Sequence, residues 1–278
     1  MYKLPKLEEL LEAGVHFGHQ VRRGHPRMKP YIFGMRDGVH IIDLEQSDKY
    51  LKEAAEFVYN LGRDGKVLLF VGTKKQSRDI VEGAAKSLEA PFMVERWMGG
   101  FLTNFEEIKK RIKLLKDLRE QKEKGQLSKY TKKEQLLLDR KMIGLEKDFR
   151  GVMDMQTMPD AIFVIDAVSD NIAVKEAMRL GIKVVAIADS NCNVSEIDYP
   201  IPGNDDAIKS ITILVSAIAD AYAEGKKEAG VIKIAKDKKD AEDKLKAEEA
   251  LPEEIVAEVA VAEEKLEKET VKDFERKT

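Results

Sequence analysis

The sequence predicts an α/β protein with a doubly wound, mostly parallel sheet and an inserted antiparallel helical hairpin that forms a coiled coil. Three observations predict it. Short continuous apolar runs have the length of buried strands, helical segments of ten to twenty residues separate them, and one long segment has no strand pattern. The chain of 278 residues is long enough to bury a core, and its hydrophobic fraction of 43% is that of a globular protein.

The first half begins with a helix, LEELLEAG, that stops at Gly14. A stretch rich in proline and glycine follows, which predicts an extended surface loop, and GVHIIDL is the next candidate strand. SDKYLKEAAEFVYNLGRDG predicts a helix with Ser47 as its N-cap and Gly62 as its stop. KVLLFVGT then predicts a strand buried on both faces, SRDIVEGAAKSLEA a helix and PFMVER an extended segment.

The second half repeats the alternation. DAIFVIDAV and KVVAIAD predict buried strands, with the helix NIAVKEAMRLG between them and the long helix DDAIKSITILVSAIADAYAEG after them. Because alternating strands and helices form parallel βαβ units, we predict one α/β domain built from residues 1–104 and 153–228.

The segment 105–152 interrupts this rhythm. Apolar residues recur there at helical spacing on both sides of a polar connection: Ile108, Ile112 and Leu115, then Leu138, Met142, Leu145, Phe149 and Val152. Thr131 and Glu134 match a capping box that opens the second helix. The pattern predicts an antiparallel coiled-coil hairpin that leaves surface for a partner, the alternative being a hairpin folded flat on the body.

Charge and composition set the tail apart from the body. Residues 226–278 hold 13 Lys or Arg and 16 Asp or Glu, which leaves 35 of each sign in residues 1–225. We predict that residues 229–278 form a charged, disordered or transiently helical tail, because they carry too little apolar area to offset the entropy of ordering. The single Cys192 excludes an internal disulfide, and the absence of a signal peptide or membrane span predicts a cytoplasmic protein.

Enzymatic signatures are incomplete. The loop FVGTKKQS follows a buried strand, where phosphate-binding loops lie, yet it matches neither common phosphate-loop pattern. One alternative remains open: a sugar-phosphate or nucleotide enzyme with Lys74 and Lys75 on the phosphate and Asp189 or Asp205 as the acid or base. The GxSxG motif of a nucleophilic serine is absent, and Cys192 has no histidine nearby in sequence.

All four histidines fall near the N-terminus, and two of them stand three residues apart in HFGH. Aspartates beyond late strands could join them in this fold, so a Zn²⁺ or Mg²⁺ site is one interpretation, and histidines bonded to backbone or RNA are the other. The candidate ligands are His16, His19, Asp189 and Asp205.

The strongest functional signal is an acid-free stretch, residues 21–36, which we call the basic segment. It carries Arg22, Arg23, Arg27, Lys29 and Arg36. Arg and Lys neutralise phosphates, glycines allow close approach of a sugar-phosphate chain, and Tyr31 and Phe33 could stack on bases. Trp97 could stack in the same way or belong to the core. A scaffold that ignores RNA would not explain five cations without an acid.

Six blocks resemble the bacterial form of the small ribosomal subunit protein two family. They are LLEAGVHFGHQVRRGHPRMKPYIFGMRDGVHIIDL, LFVGTKKQSRDIVEGAA, ERWMGGFLTNFEEI, MPDAIFVIDAV, EAMRLGIKVVAIADSNCN and DYPIPGNDDAIKSI, and they run in order over roughly residues 5–225. The resemblance does not extend to the tail beyond Gly230.

The resemblance implies a structural, non-enzymatic protein that binds small-subunit rRNA and neighbouring ribosomal proteins on the ribosome. It also implies that the chain helps hold the large mRNA-binding ribosomal protein one, needs no cofactor and is not an obligate homo-oligomer. The rRNA-contacting candidates are the basic segment with Tyr31, and secondly a group at strand ends: Lys74, Lys75, Arg78 and Arg96.

Overall fold

The computed structural model describes residues 2–249, with the backbone alone at Ser128 and over 231–249. The chain divides into two units, Met1–Ala229 and Gly230–Thr278. In the first unit a small antiparallel sheet and a larger parallel sheet follow one another along the chain.

The small sheet consists of β1 (Phe17–Gln20), β2 (Ile32–Arg36) and β3 (Val39–Ile42) in the order β1-β3-β2. Strands β2 and β3 are joined by Asp37 and Gly38, both with positive φ (49° and 76°). An Asp-Gly pair favours this tight hairpin turn because both central residues must have positive φ. The predicted extended loop over the basic segment is wrong over most of its length, because two short 3-10 helices, Val21–Arg23 and Pro26–Tyr31, precede β2 there.

The larger sheet contains β4 (Leu68–Val71), β5 (Phe92–Met93), β6 (Ala161–Val164), β7 (Lys183–Ala188) and β8 (Tyr199–Pro202). All neighbouring pairs are parallel, in the order β5-β4-β6-β7-β8. Strands β5 and β6 pair with opposite edges of β4, so the direction in which strands are added to the sheet reverses between them. Strand β8, in DYPIP, was not predicted, because its two prolines argue against a strand and only its place at the sheet edge permits them.

Seven α-helices accompany the sheets in the described part of the chain: α1 (Leu7–Glu12), α2 (Leu44–Arg63), α3 (Arg78–Ser87), α4 (Phe105–Glu123), α5 (Lys132–Phe149), α6 (Asn171–Leu180) and α7 (Ile208–Glu249). The prediction of Ser47 as N-cap is wrong. Asp43 caps α2 instead, because its Oδ1 accepts a hydrogen bond from the Glu45 amide at 2.9 Å.

Two apolar cores lie on the two faces of the parallel sheet. Alternate strand residues face opposite ways, so Phe70 and Phe163 pack with α2, α3 and α7, whereas Leu69 and Ile162 pack with α4, α5 and α6. All four of these side chains are fully buried. The observed architecture is thus α/β, with helices on both faces of a five-stranded parallel sheet.

Helices α4 and α5 contact each other through apolar and charged side chains. Arg119 pairs with Glu146, and Lys122 Nζ lies 2.9 Å from Asp139 Oδ1. The order of these partners shows that the two helices run in opposite directions. Thr131 and Glu134 form the predicted capping box. The predicted apolar positions, including Leu115, are buried or half-buried in the core on this face.

The tail prediction falls partly outside the described residues. Helix α7 continues to Glu249, and residues 250–278 lie beyond the part of the chain that the structure describes. Among the described residues, no helix combines the length and apolar character needed to cross a membrane.

Candidate nucleic-acid interface

The backbone of the basic segment is fixed to the body at several points. The Val21 amide donates to the Gly38 carbonyl at 3.0 Å, and the His25 amide donates to the Ser190 carbonyl at 2.8 Å. Met28, in the middle of the segment, is fully buried. Because these contacts already order the backbone, cations on this segment lose less conformational entropy on binding than cations on a free loop would.

The five predicted cations of the segment all lie on the surface. Arg22 Nε donates to Gln20 Oε1 at 2.8 Å, and Arg27 donates to the Ser195 hydroxyl, both of which are uncharged partners. Among the residues that the structure describes, only Arg36 of these five approaches an acid, with Nε 3.8 Å from Asp37 Oδ2, and both of these side chains are more than four-fifths exposed. The positive charge of the segment is therefore nearly uncompensated among the described residues.

The two aromatic residues of the segment differ in availability. Phe33, on β2, is 82% exposed and is therefore free to stack on a base or ribose. Tyr31 packs edge-on against Tyr50, with ring centroids 5.3 Å apart. Burial and the hydrogen bond with Tyr50 raise the pKa of Tyr31 to about 12. The structure thus places Tyr31 as a support of the segment and exposes Phe33 to solvent.

The second group of predicted cations divides in the same way. Lys75 and Arg96 are exposed, and neither has an ion-pair partner among the described residues. The Arg78 guanidinium holds the loop after β4 to the loop after β5: its Nε donates to the Thr73 carbonyl at 3.0 Å and its Nη2 to the Glu95 carbonyl at 3.2 Å. Lys74 points in another direction altogether.

Lys74 lies in an acidic cluster at the carboxyl ends of the parallel strands. Its Nζ is 3.2 Å from Asp166, 2.8 Å from Asp205 and 2.6 Å from Asp206. Burial alone would lower the pKa of Lys74, but the hydrogen bond and charge of Asp205, together with Asp206 and Asp166, raise it overall. Burial, followed by the negative charges of Asp166 and Asp189, raises the pKa of Asp205 to about 7.

This cluster occupies the crevice where phosphates bind in many doubly wound sheets. A phosphate placed there would meet at least three carboxylates, and the nearest lysine is already paired with them. The arrangement therefore disfavours the phosphate-binding role considered for Lys74, and Lys75 points to the surface instead.

The candidate metal ligands are brought together only in part. His19, Asp205 and Asp206 offer ligand atoms that all lie within 4.8 Å of one another. His19 Nδ1 is 3.1 Å from Asp189 Oδ1, and this hydrogen bond raises the pKa of His19 despite its partial burial. The predicted His16 is not in the cluster, since its ring packs on Phe17 at 4.0 Å between centroids.

One residue that positions a loop of the candidate interface was missed in the sequence. The Glu176 carboxylate, only 7% exposed, accepts hydrogen bonds from the amides of Gly100 (2.7 Å), Leu102 (3.0 Å) and Thr103 (3.2 Å). It also accepts from Trp97 Nε1 at 3.3 Å. Burial alone would raise the pKa of Glu176, but these bonds lower it overall. The sequence carries a signal, because Glu176 stands three residues after Ala173 and directly before Ala177, on the apolar face of α6.

Glu176 therefore fixes the loop WMGGFLTN, which the exposed Arg96 directly precedes. Trp97 is 5% exposed and packs against Phe101, which makes it a core residue and removes it from the stacking candidates.

Comparisons with known proteins agree on one family. The family model described as Ribosomal protein S2 matches residues 10–225. The small ribosomal subunit protein uS2 of a Nitratiruptor species is 50% identical over 220 residues, 79% of this chain and 82% of that protein. The uS2 of Wolinella succinogenes is 46% identical over 252 residues, 91% and 92% of the two chains. The uS2c of Mesostigma viride is 46% identical over 221 residues, 80% and 97%.

Proposed function

Because this chain belongs to the ribosomal protein S2 family, we propose that it is a structural constituent of the small ribosomal subunit that binds small-subunit rRNA through its basic segment. It is not an enzyme, and it acts on the ribosome in the cytoplasm, where it supports subunit assembly and translation. The observation that carries the rRNA assignment is the anchored backbone of residues 21–36 with five exposed cations.

The proposed contact acts mainly through phosphates. Arg22, Arg23, Arg27, Lys29 and Arg36 form the first group of contacts, and Phe33 adds a surface for stacking. Lys75 and Arg96 extend the positive surface at the strand ends. Lys74, Arg78 and Tyr31 contribute indirectly, since Lys74 offsets part of the negative charge of the acidic cluster and the other two hold backbone in place.

The test replaces Arg22, Arg23 and Arg27 with Ala and measures association with small subunits lacking this protein by sucrose-gradient sedimentation at several salt concentrations. Losing three phosphate contacts should reduce the slope of log K against log salt by about 2–3. The matched control removes the same charge elsewhere, with Lys52→Ala, Lys66→Ala and Lys86→Ala. Equal slopes for all three proteins would refute the assignment.

We propose the following domain organisation for this function. Residues 1–104 and 153–228 form the rRNA-binding body, 105–152 form a coiled-coil hairpin inserted in it, and 229–278 form a charged tail. The ion pairs of Arg119 and Lys122 with α5 support the hairpin. The hairpin and the adjoining body contact neighbouring ribosomal proteins, among them the large mRNA-binding protein one.

A divalent cation at the acidic cluster is a second, separate proposal. His19 and Asp205, with Asp189 and Asp206 beside them, supply nitrogen and oxygen donors that suit Zn²⁺. Because the Lys74 ammonium lies among the same carboxylates, it would have to move aside. Zn²⁺ titration of the full chain and of His19→Ala by calorimetry tests the idea. Stoichiometric binding that His19→Ala abolishes supports the site, and absence of heat in both proteins refutes it.

A further inference from the structure

The outward face of α5 carries exposed apolar residues and cations, and we propose that it docks an acidic amphipathic helix of a partner protein. The inference rests on the proposed role of the hairpin in contacting neighbouring proteins and names the face and the chemistry that do so.

Helical geometry places the relevant residues on one face. Lys133, Arg140 and Lys147 are seven residues apart and so lie almost in line along the helix. Leu136 and Ile143 are also seven apart and flank this line on one side. Leu137 and Gly144 flank it on the other. The core residues Met142 and Phe149 point the opposite way.

The apolar members of this face are well exposed: Leu136 is 51%, Leu137 is 55% and Ile143 is 62% exposed. Helix α4 serves as an internal comparison, because it has nearly the same length and belongs to the same pair. Its exposed positions mix both signs of charge, and its one large exposed aliphatic residue is Leu114, at 36%. Of these two helices, α5 thus exposes far more apolar surface.

The acids of α5 mostly face elsewhere. Glu134 closes the N-terminal capping box, Asp139 pairs with Lys122, and Glu146 pairs with Arg119. The fourth acid, Asp148, is half-buried and lies one turn beyond Gly144, at the edge of the face. On the outward face, Lys133 and Arg140 have no ion-pair partner among the described residues, and Lys147 has only a distant one, Glu95 at 3.8 Å. The face therefore combines aliphatic side chains with unmatched positive charge.

Gly144 adds an independent observation. It lies in the middle of α5, where glycine weakens a helix relative to alanine, and a Cβ built on it would meet nothing within 4 Å. No contact inside the described structure requires the missing side chain. Because Gly144 has no side chain, the backbone of a second helix can approach α5 closely at this point. Such an approach would explain why a glycine stands there.

These features favour a protein over RNA. RNA contacts would use the cations, but phosphate oxygens gain nothing from three exposed aliphatic side chains. An amphipathic helix with an apolar stripe bordered by Glu or Asp matches both the cations and the aliphatic side chains of this face. Its aliphatic residues pack between the two helices, and its acids pair with the cations at the borders.

The experiment measures binding of the full chain to a synthetic helical peptide with leucines at heptad spacing bordered by glutamates, by fluorescence anisotropy. A peptide of the same composition in scrambled order is the ligand control. We expect the ordered peptide to bind, and Arg140→Glu, Ile143→Ser and Gly144→Leu each to weaken binding about tenfold or more.

Two variants match these changes at other exposed helix positions. Lys113→Glu reverses a charge on α4, and Gly83→Leu fills another open helical glycine, on α3. Both should bind the peptide like the unchanged chain. Equal binding of the two peptides, or equal losses in test and control variants, would overturn the proposal.

A second measurement uses the assembled subunit. A photo-reactive amino acid at position 137 should cross-link to a ribosomal protein, and a cross-link to rRNA or none at all would overturn the docking proposal. Co-sedimentation of the same variants with small subunits separates the two proposals. If Gly144→Leu loses the peptide but keeps its rRNA-dependent sedimentation, the two surfaces are distinct, whereas loss of sedimentation by the unchanged chain would refute the proposed function itself.

Discussion

Replacing Glu176 with Gln tests whether one buried carboxylate organises the loop WMGGFLTN. In the unchanged chain, one carboxylate oxygen accepts from Trp97 Nε1 and the Gly100 amide, and the other accepts from the amides of Leu102 and Thr103. Gln keeps one acceptor oxygen. The side-chain amide nitrogen replaces the second oxygen, so its own N–H groups face the N–H donors of the loop and cannot accept from them.

The magnitude follows from the number of donors that lose their acceptor. A hydrogen bond to a charged group contributes about 1.5–3 kcal/mol, and an unsatisfied buried donor costs about 1–3 kcal/mol. At either oxygen position two donors lose their acceptor, Trp97 Nε1 with the Gly100 amide or the amides of Leu102 and Thr103, and the loop relaxes in part. We therefore expect Glu176→Gln to lower the free energy of unfolding by about 2–3 kcal/mol. Glu176→Ala, which leaves every donor without its acceptor, should lower it by about 3–5 kcal/mol.

The assay is urea unfolding followed by circular dichroism and by tryptophan emission. Trp97 is the single tryptophan of the chain and donates to Glu176, so its emission reports on the loop directly. Glu106→Gln is the control, because that side chain is 80% exposed. An unchanged midpoint together with unchanged emission in Glu176→Gln would refute the assigned role.

Acid sensitivity gives the same variant a second test. The pKa of Glu176 is lowered in the folded chain by the hydrogen bonds that outweigh its burial. Its contribution to stability is therefore present above about pH 4.3, the ordinary value of a glutamate, and is lost as the pH falls through the folded pKa. Glu176→Gln should flatten the loss of stability below about pH 4.3, and an unchanged acid limb would contradict this.

Three further predictions concern other parts of the fold. Burial and neighbouring acids raise the pKa of Asp205 to about 7, so the folded chain holds more protons than the unfolded one between about pH 4 and 7, and stability should fall as the pH rises across that window. Asp205→Asn should flatten this slope in thermal melts, whereas Asp220→Asn should not. A Cβ at Gly225 would lie 2.2 Å from the Tyr59 carbonyl oxygen, so Gly225→Ala should lower the free energy of unfolding by about 2–3 kcal/mol in urea titrations. Gly83→Ala, in open space, should raise it by about 0.5–1 kcal/mol. Replacing residues 119–141 by a short linker should leave the unfolding of the body cooperative, because the fully buried Leu115 and Phe149 remain. Gradual unfolding of this variant would show that the core needs the removed parts of α4 and α5.

Local patterns in the sequence determined most of the elements. Continuous apolar runs predicted β4, β6 and β7, helical spacing predicted α4 and α5, and Thr131 with Glu134 predicted the start of α5. These signals act over a few residues, because strand burial, helix periodicity and capping each depend on near neighbours in the chain. The acid-free composition of the basic segment was also evident from the sequence alone.

The tertiary structure decided which partners each polar side chain meets. Lys74 and Lys75 are adjacent in sequence, yet one is surrounded by Asp166, Asp205 and Asp206 and the other faces solvent. Strand order and register bring together residues that lie far apart along the chain, and no local pattern carries that information. The same holds for Glu176 and Trp97, which are 79 residues apart and meet only because α6 packs beside the loop after β5. Near neighbours in the chain thus determined the elements, and long-range packing decided which charges remain free to bind a partner.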